Sequence, residues 1–250
     1  YALETYTSAQ ITASGNLSIT ATAYNSWAIV LRSSNLIQSS NGSLSITAIP
    51  NASSGSGGGI YTEGSTTIKS YGDLAIYANQ APSQANGALY INGSSTTIQS
   101  TAGNVNLNLV ASRPMWTSDS TALIRAYLDL NINGVGTGGL YVSTASTCSA
   151  TCGWVSDTGN ITVRTISNDA SGWGEYAFYM RAPIIANGTA VGKGNVTIVA
   201  VGPYGGVYED SSYGYVSAQG NIDLIGYGGS SGGNAVYLNA AGPTLTNTAG

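Results

Sequence analysis

Residues that could perform acid/base or nucleophilic chemistry are scarce in this sequence. The 250 residues contain eleven Asp and Glu, seven Lys and Arg, and no His. Glycoside cleavage needs two carboxyl groups close together, and activation of a nucleophile usually needs His or Lys. Lys stands only at positions 69 and 193. Glu209 and Asp210 are adjacent, so either Glu209 faces inward at the end of a strand or the pair begins a solvated turn. The residue types predict a protein that is not an enzyme.

Two cysteines, Cys148 and Cys152, stand in the stretch CSATC. A structural zinc site takes four nitrogen or sulfur ligands, and this chain offers neither His nor a second Cys pair. We therefore interpret the pair as a local disulfide that closes a loop, with two free thiols as the alternative. A disulfide indicates an oxidising, extracellular compartment.

Side chains with oxygen ligands for Ca²⁺ recur along the chain. They are Asp73, Asn104, Asn106, Asp129, Asn131 and Asp223. The sequence contains neither an Asp-x-Asp-x-Asp-Gly loop nor a Gly-Gly-x-Gly-x-Asp nonapeptide, which are the patterns that gather such ligands at one point. Stacked Asn and Ser side chains at turns more often form hydrogen-bond ladders, so we expect no bound metal and no cofactor.

Aromatic residues form the most prominent candidate site. Several follow a small residue and an aliphatic one, as in Gly59-Ile60-Tyr61. If the aliphatic side chain faces inward, the ring faces outward. The predicted row of rings, here called the aromatic column, comprises Tyr61, Tyr90, Trp116, Tyr141, Tyr179, Tyr208 and Tyr237. An exposed row of rings usually contacts a partner. That partner could be a neighbouring rod, a glycan stacked on the rings, or the protein's own loops.

The elements that position these residues are visible as a repeated phrase. GNLSITA begins at residue 15 and returns as GSLSITA at 42, GDLAIYA at 72 and GNVNLNL at 103. Further copies begin at Gly159, Gly194 and Gly220, and a degraded copy, AYLDLNI, begins at Ala126. The second and fourth residues after each of these anchors are aliphatic, and the residue between them is small or polar. This alternation with period two predicts a half-buried β-strand in every copy.

Two further strands accompany each anchor strand. One carries the aromatic residue, and a shorter one precedes the anchor and is centred on Ile11, Ile37, Ile68, Ile98, Val155, Val216 and Leu245. Anchors spaced 23 to 35 residues apart predict an all-β solenoid, a parallel β-helix with three strands in each of about eight coils. Residues 1–250 then form a single domain.

Coil stacking also bears on the carboxylates and on the insertions. Asp129 and Asp223 are assigned to one outward column three coils apart, about 14 Å at the usual strand spacing, which is too far for an acid/base pair.

The polar stretches 49–59, 79–87 and 226–234 fall between the anchor strand and the aromatic strand. The CSATC loop and the stretch 182–194 fall between the aromatic strand and the next one.

Composition excludes two classes of partner. Charged residues make up 7% of the chain and the net charge is -4, so no basic stripe is present to follow a nucleic-acid backbone. No apolar run approaches the roughly 18 residues of a membrane helix. The chain begins with Tyr1 and shows no basic segment followed by an apolar one, so we expect a mature chain or a fragment.

Gly-Asn-aliphatic-x-aliphatic repeats at this spacing, in a His-free chain rich in Ser, Thr and Asn, resemble the β-helical shafts of filamentous-haemagglutinin-like adhesins and related bacterial surface exoproteins. The resemblance covers nearly the whole chain. It implies a right-handed parallel β-helix, display outside the cell, and adhesive or fibre-forming work. The Asn-Pro motifs of that family's secretion domain do not occur in this sequence.

These observations lead us to expect an extracellular structural or adhesive fibre protein. Its partners are expected to be other copies of itself, bound end to end or laterally, with surface glycans as a second kind of partner. The alternative is a glycan-binding or glycan-cleaving β-helix domain. Because an open β-helix end leaves strand edges unpaired, the rod is expected either to continue in a longer polypeptide or to stack on identical chains.

Overall fold

The computed structural model describes residues 1–24, 26–51, 57–79, 87–92, 95–144, 152–168, 176–209, 214–229, 233–239 and 245–248. Within these ranges the chain forms 26 β-strands and no helix. It therefore has no helix in the described part that is long and apolar enough to cross a membrane.

The strands are short, and most contain three to eight residues. In chain order they are β1 (Leu3–Thr5), β2 (Gln10–Ala13), β3 (Leu17–Tyr24), β4 (Ile29–Arg32), β5 (Leu36–Ser39), β6 (Leu44–Asn51), β7 (Ile60–Glu63), β8 (Thr67–Ser70), β9 (Leu74–Asn79), β10 (Gly87–Asn92), β11 (Thr97–Ser100), β12 (Val105–Val110), β13 (Arg113–Ser120), β14 (Leu123–Ala126), β15 (Leu130–Gly136), β16 (Leu140–Thr144), β17 (Gly153–Ser156), β18 (Ile161–Ser167), β19 (Tyr176–Arg181), β20 (Pro183–Ala186), β21 (Val196–Gly202), β22 (Gly205–Glu209), β23 (Tyr215–Ala218), β24 (Ile222–Gly228), β25 (Val236–Leu238) and β26 (Leu245–Asn247).

The strands belong to three parallel sheets, and each strand pairs with the strand three places away in sequence. Sheet A runs from β1 through β4 and β7 to β25, sheet B runs from β2 to β26, and sheet C runs from β3 to β24. Three successive strands, one from each sheet, make one coil. Eight coils have all three strands, and β25 and β26 follow the eighth coil. From the first coil to the eighth, the chain makes about seven turns of about 29 residues each. The predicted parallel β-solenoid with three strands per coil is confirmed.

The core consists of columns in which like side chains stack along the rod axis. In sheet B, Ile37, Ile68 and Ile98 are paired directly from strand to strand, and all three are buried. Each such side chain contributes roughly 1.5–3 kcal/mol when it is fully buried. A single coil cannot bury its own inward residues, because their contacts lie in the coils above and below.

The structure corrects the predicted second strand of the sixth coil. Trp154 is the inward residue there, not Val155, because it pairs with Ile124 on one side and Ile184 on the other. The Trp154 ring is buried and stacks on Phe178 with ring centroids 5.5 Å apart. A large ring fits this position because its stacking partner belongs to the facing sheet A.

The degraded repeat is also shifted from its predicted position. Strand pairing aligns Val105 with Leu130 and Leu107 with Ile132, so the anchor position of this coil is Leu128 rather than Ala126. Ala126 instead ends strand β14 and is buried. A shift of two residues preserves the alternation of inward and outward side chains, and the sequence pattern alone could not distinguish the two alignments.

The stretch 182–194 was predicted as an insertion between the aromatic strand and the next, and this prediction was wrong. Pro183–Ala186 form β20 of sheet B and pair with β17 and β23. Proline is tolerated at the first residue of a strand. The insertion therefore lies between β20 and β21. The other predicted insertions lie between the strands expected, although parts of them fall outside the described residues.

Substitution at Ile132 and at Leu128 tests the corrected alignment. Ile132 is 2% exposed and Leu128 is 39% exposed. We expect Ile132→Ala to lower the free energy of unfolding by about 2–5 kcal/mol, because it leaves a cavity in a packed column. Leu128→Ala should lower it by much less. Urea denaturation followed by far-ultraviolet circular dichroism measures both, and equal losses would contradict the alignment.

Candidate functional site

All seven residues of the aromatic column occupy the same position in sheet A. They are paired directly from β7 to β25, each with its neighbour in the next coil. Tyr90 is half-buried, whereas Leu89 and Ile91 on either side of it are buried. The rings therefore lie on the outer surface of sheet A, as the alternation predicts.

The rings of the aromatic column contact one another along the whole row. From Tyr61 to Tyr141 the centroids are 5.4 to 5.8 Å apart and neighbouring planes are inclined by 50° or more. From Tyr141 to Tyr237 the centroids are 4.7 to 5.0 Å apart and the planes are within 20° of parallel. The spacing of parallel strands, about 4.8 Å, brings rings on adjacent coils to stacking distance.

The structure adds rings that the sequence did not predict, among them Tyr176, whose centroid lies 4.5 Å from that of Tyr208, and Trp27. Trp27 lies 5.4 Å from Tyr61 and 6.3 Å from Tyr90, measured between ring centroids. In this coil the outward position paired with Tyr61 is Val30. Gly58 packs against the Trp27 ring so closely that a Cβ there would lie 2.3 Å from it. In the sequence, Trp27 stands just before Ala28-Ile29-Val30, a stretch that begins with a small and an aliphatic residue like the other aromatic strands. This pattern could have identified Trp27.

Three arginines flank the aromatic column. The Arg113 guanidinium lies 4.1 Å from the centroid of Trp116, and Arg32 and Arg181 lie 5.8 and 6.0 Å from the centroids of Tyr61 and Tyr179. Burial lowers the pKa of Arg113. At these distances the cations are attracted to the rings, and Arg113 and Arg32 cover part of the aromatic surface that the inclined rings leave open.

Arg32 is also held by acidic side chains. It forms ion pairs with Glu4 at 3.3 Å and with Glu63 at 2.9 Å, one in the preceding coil and one in the following coil. All three groups are partly exposed, so each pair contributes little to stability by itself. Their effect is to neutralise the arginine beside Tyr61.

The stacked geometry limits what the aromatic column can bind. A sugar ring stacks on an aromatic face, and between Tyr141 and Tyr237 each face is covered by the next ring. Only ring edges and hydroxyls then face outward. In the inclined part, the Asn92 side-chain amide donates a hydrogen bond to the Tyr61 hydroxyl (2.8 Å). Ring contacts in this row therefore stabilise the rod itself.

A second row of polar side chains, here called the Asx ladder, follows the anchor position of each coil. Its unbroken part comprises Asp73, Asn104, Asp129, Asn160, Asn195 and Asn221. The Oδ1 atom of each accepts a hydrogen bond from the backbone N–H of the next, at 2.7 to 3.0 Å. Five of the six candidate calcium ligands take part in hydrogen bonds between coils: Asp73, Asn104 and Asp129 accept from backbone N–H groups, and Asn106 accepts from the side-chain amide of Asn131 (3.0 Å). The predicted hydrogen-bond ladder is confirmed.

Asp129 and Asp223, which the sequence assigns to one outward column, lie in different columns. Asp129 belongs to the Asx ladder, so its assignment to the column of Asp223 was wrong. Its carboxylate also forms an ion pair with Lys193 (3.3 Å). Asp223 is paired with Thr197 instead. Glu209 faces inward and is fully buried, which decides between the two alternatives left by the sequence. Asp210 lies outside the described residues. Within the described residues, no three His, Cys, Asp or Glu side chains gather as a metal site.

Of the two cysteines, Cys152 lies within the described residues. Cys152 is buried in the corner between β16 and β17, and no cysteine among the described residues is free. Cys148 lies outside the described residues. The disulfide between Cys148 and Cys152 stays a prediction.

No family model matches the chain, and no curated protein or solved structure matches it either. The stacked columns and the surfaces that they leave open are therefore the features from which a function is inferred.

Removing one ring from the stacked part tests the structural role of the aromatic column. Tyr179→Ala loses ring contacts with both Tyr141 and Tyr208, and we expect it to lower the free energy of unfolding by about 1–3 kcal/mol. Tyr77→Ala is the matched control, because Tyr77 lies on the outer surface of sheet C and is exposed. Urea denaturation compares the two variants. An equal or larger loss for Tyr77→Ala would contradict this role.

Alkaline pH provides a second test. Burial raises the pKa of Tyr90, so the folded protein favours its neutral phenol. This contribution to stability is fully present below the ordinary tyrosine pKa of about 10 and is lost as the pH rises through the raised value. The urea concentration at the midpoint of unfolding should fall between about pH 9 and about pH 11, and we expect this fall to be smaller in Tyr90→Phe than in the wild type. An unchanged fall would show that Tyr90 does not contribute.

Proposed function

We propose that this chain is a rod segment of an extracellular structural or adhesive fibre, as the resemblance to filamentous-haemagglutinin-like shafts implies. The observation that carries the proposal is that equivalent residues stack in register from coil to coil, so that each coil covers the core columns of its neighbours. Leu17 in the first coil and Leu224 in the eighth are only half-buried, whereas Leu44 and Ile198, their counterparts one coil further in, are buried.

A further coil placed on either end would extend every column in the rod. It would cover the half-buried aliphatic residues, pair the backbone groups of the outermost strands, and lengthen the Asx ladder and the aromatic column. Such a coil can belong to the same polypeptide or to another copy. In both cases the product is a longer rod of constant width, and the eight coils described here already span about 40 Å.

The surface composition also suits work outside the cell. The chain has few charges, and many of the exposed residues in its described part are Ser, Thr, Asn or Tyr. Side chains of these types form hydrogen bonds with glycans and with other protein surfaces. The predicted disulfide in the CSATC loop belongs to the same compartment.

Glycan binding is the second candidate function. The inclined rings between Tyr61 and Tyr141 favour it, because inclined planes leave part of each face open. Arg113 beside Trp116 would suit an acidic sugar. The stacked rings of the later coils do not offer such faces.

Blocking one strand edge tests axial assembly. The backbone N–H of Leu17 donates to Ser43 in the second coil, so the N–H of the next residue, Ser18, points away from the rod at the free edge of β3. We expect Ser18→Pro to retain the fold and to prevent growth from this end. Ser18→Val, which keeps the N–H, is the matched control. Light scattering at increasing protein concentration and electron microscopy measure the assemblies.

The mass of the native polypeptide completes this test. Either a mass far above the 25.3 kDa of this chain or concentration-dependent filaments would support the proposal. A native polypeptide of this mass that stays monomeric at every concentration would contradict it. Release of sugar fragments from a polysaccharide would contradict the non-enzymatic role.

A further inference from the structure

The outer face of sheet C carries an exposed apolar patch that neither the core nor the aromatic column explains. Ile166 is 41% exposed, Val201 37%, Ile225 39% and Tyr227 58%. With the half-buried Val199 they form one continuous area on β18, β21 and β24, because Ile166 pairs with Val201, Val201 with Tyr227, and Val199 with Ile225. These five residues are here called the sheet C patch.

The earlier coils of the same face are different. Their outward positions carry mainly small polar residues, as in the pairs Ser18 with Ser45 and Thr20 with Thr47. Asn131 and Asn133 in the fifth coil form side-chain hydrogen bonds to the coil before. The exposed large aliphatic side chains on this face, Ile166, Val201 and Ile225, all lie in the sixth to eighth coils, whereas the earlier coils expose the separate rings of Tyr24 and Tyr77. Contiguous apolar patches usually mark an interface.

Two charged side chains lie at the border of the sheet C patch. Arg164 on β18 and Asp223 on β24 are the only charged side chains at the outward positions of the described sheet C strands. Both are exposed, and neither forms an ion pair within the described part of the chain. They stand one strand on either side of β21, about 10 Å apart along the rod axis.

We propose that the sheet C patch binds a second copy of this chain in an antiparallel, face-to-face dimer. The two-fold axis of this dimer runs along β21, so it places β18 of each copy opposite β24 of the other. Ile166 then lies opposite the other copy's Tyr227, while Val199 and Val201 lie opposite their own counterparts. The apolar residues on the two faces cover one another.

Charge complementarity selects this arrangement. Arg164 lies opposite Ile225 of the other copy, and Asp223 is two residues away along that strand, about 7 Å. Facing sheets lie about 10 Å apart, so the aliphatic stem of Arg164 can pack on Ile225 while its guanidinium reaches Asp223. The symmetry forms this ion pair twice. A parallel dimer would place β18 opposite β18 and β24 opposite β24, so the two Arg164 side chains would lie at one coil level and the two Asp223 side chains at another, and like charges oppose such a contact.

The size of the contact predicts its strength. Three strands of about seven residues present roughly 300 Å² of face on each copy, which is well below the area of a standard stable interface. The dimer is therefore expected to be weak and reversible in solution. It requires no axial stacking, so it goes beyond the proposed function and gives rods a lateral contact on a different face from the aromatic column.

Charge reversal tests the proposal. In Arg164→Asp both bordering residues are acidic, and in Asp223→Arg both are basic. Sedimentation equilibrium should show that each single variant dimerises at least about tenfold more weakly than the wild type, because every ion pair becomes a repulsion. The double variant R164D/D223R should recover the wild-type dimerisation constant. Tyr227→Ala should also weaken the dimer, because it removes an apolar side chain of the sheet C patch, and charge reversal should not restore its dimerisation.

A mixture of the two single variants gives the sharpest test. In a heterodimer of Arg164→Asp with Asp223→Arg, both ion pairs are restored: one joins the native Arg164 and Asp223, and the other has the two charges exchanged. We expect a fluorescently labelled Arg164→Asp chain to bind Asp223→Arg at least about tenfold more tightly than it binds itself. Tyr179→Ala in the aromatic column is the control and should leave dimerisation unchanged.

Two results would overturn the proposal. One is a mixture that associates no more tightly than either variant alone. The other is wild-type self-association that is lost in Ser18→Pro and unaffected by charge reversal, which would assign the contact to the rod ends. Charge reversal leaves axial assembly intact, so failure of the dimer and failure of the fibre proposal give different results.

Discussion

The spacing of about 4.8 Å between hydrogen-bonded parallel strands is the constraint on which the rest of this structure depends. It brings equivalent residues of successive coils into direct contact wherever they lie. Inside the rod it stacks Ile37 on Ile68. At the turns it brings each Asx oxygen to 2.7–3.0 Å from the next backbone N–H. On the surface it brings tyrosine rings to 4.7–5.0 Å.

A consequence is that many polar and aromatic groups are satisfied along the rod axis. The Asx ladder uses oxygens that a metal would need, and the stacked rings cover faces that a glycan would need. Groups available to partners are those that the stacking leaves over. Among the described residues they include the half-buried aliphatic residues of the end coils and the sheet C patch with its two bordering charges. Both kinds of surface suit protein association, which is why the proposed functions concern assembly rather than catalysis.

Much of the fold could be predicted from the sequence, because the repeats share the same alternation of aliphatic and polar residues. Alternation with period two established which side chains of the anchor strands face inward, and the recurring Tyr placed all seven rings in one column before any pairing was known. Prediction failed where a repeat lacks its marker. Without Gly, the coil containing Leu128 could be aligned at two positions, and Pro183 concealed a strand in a stretch that resembled a loop.

The sequence by itself determined the phase of the anchor strands, the three-strand coil and the seven predicted members of the aromatic column, because these follow from local alternation and from repetition. Only the tertiary structure decided whether a surface group faces a neighbour or remains open. Ring faces are covered or free according to the inclination of side chains on adjacent coils, and the inward position of Glu209 follows from how far its strand continues. Arg164 and Asp223 are 59 residues apart in the chain. Stacking places them on one face, because coils separated by many residues in sequence are separated by only a few ångströms in space.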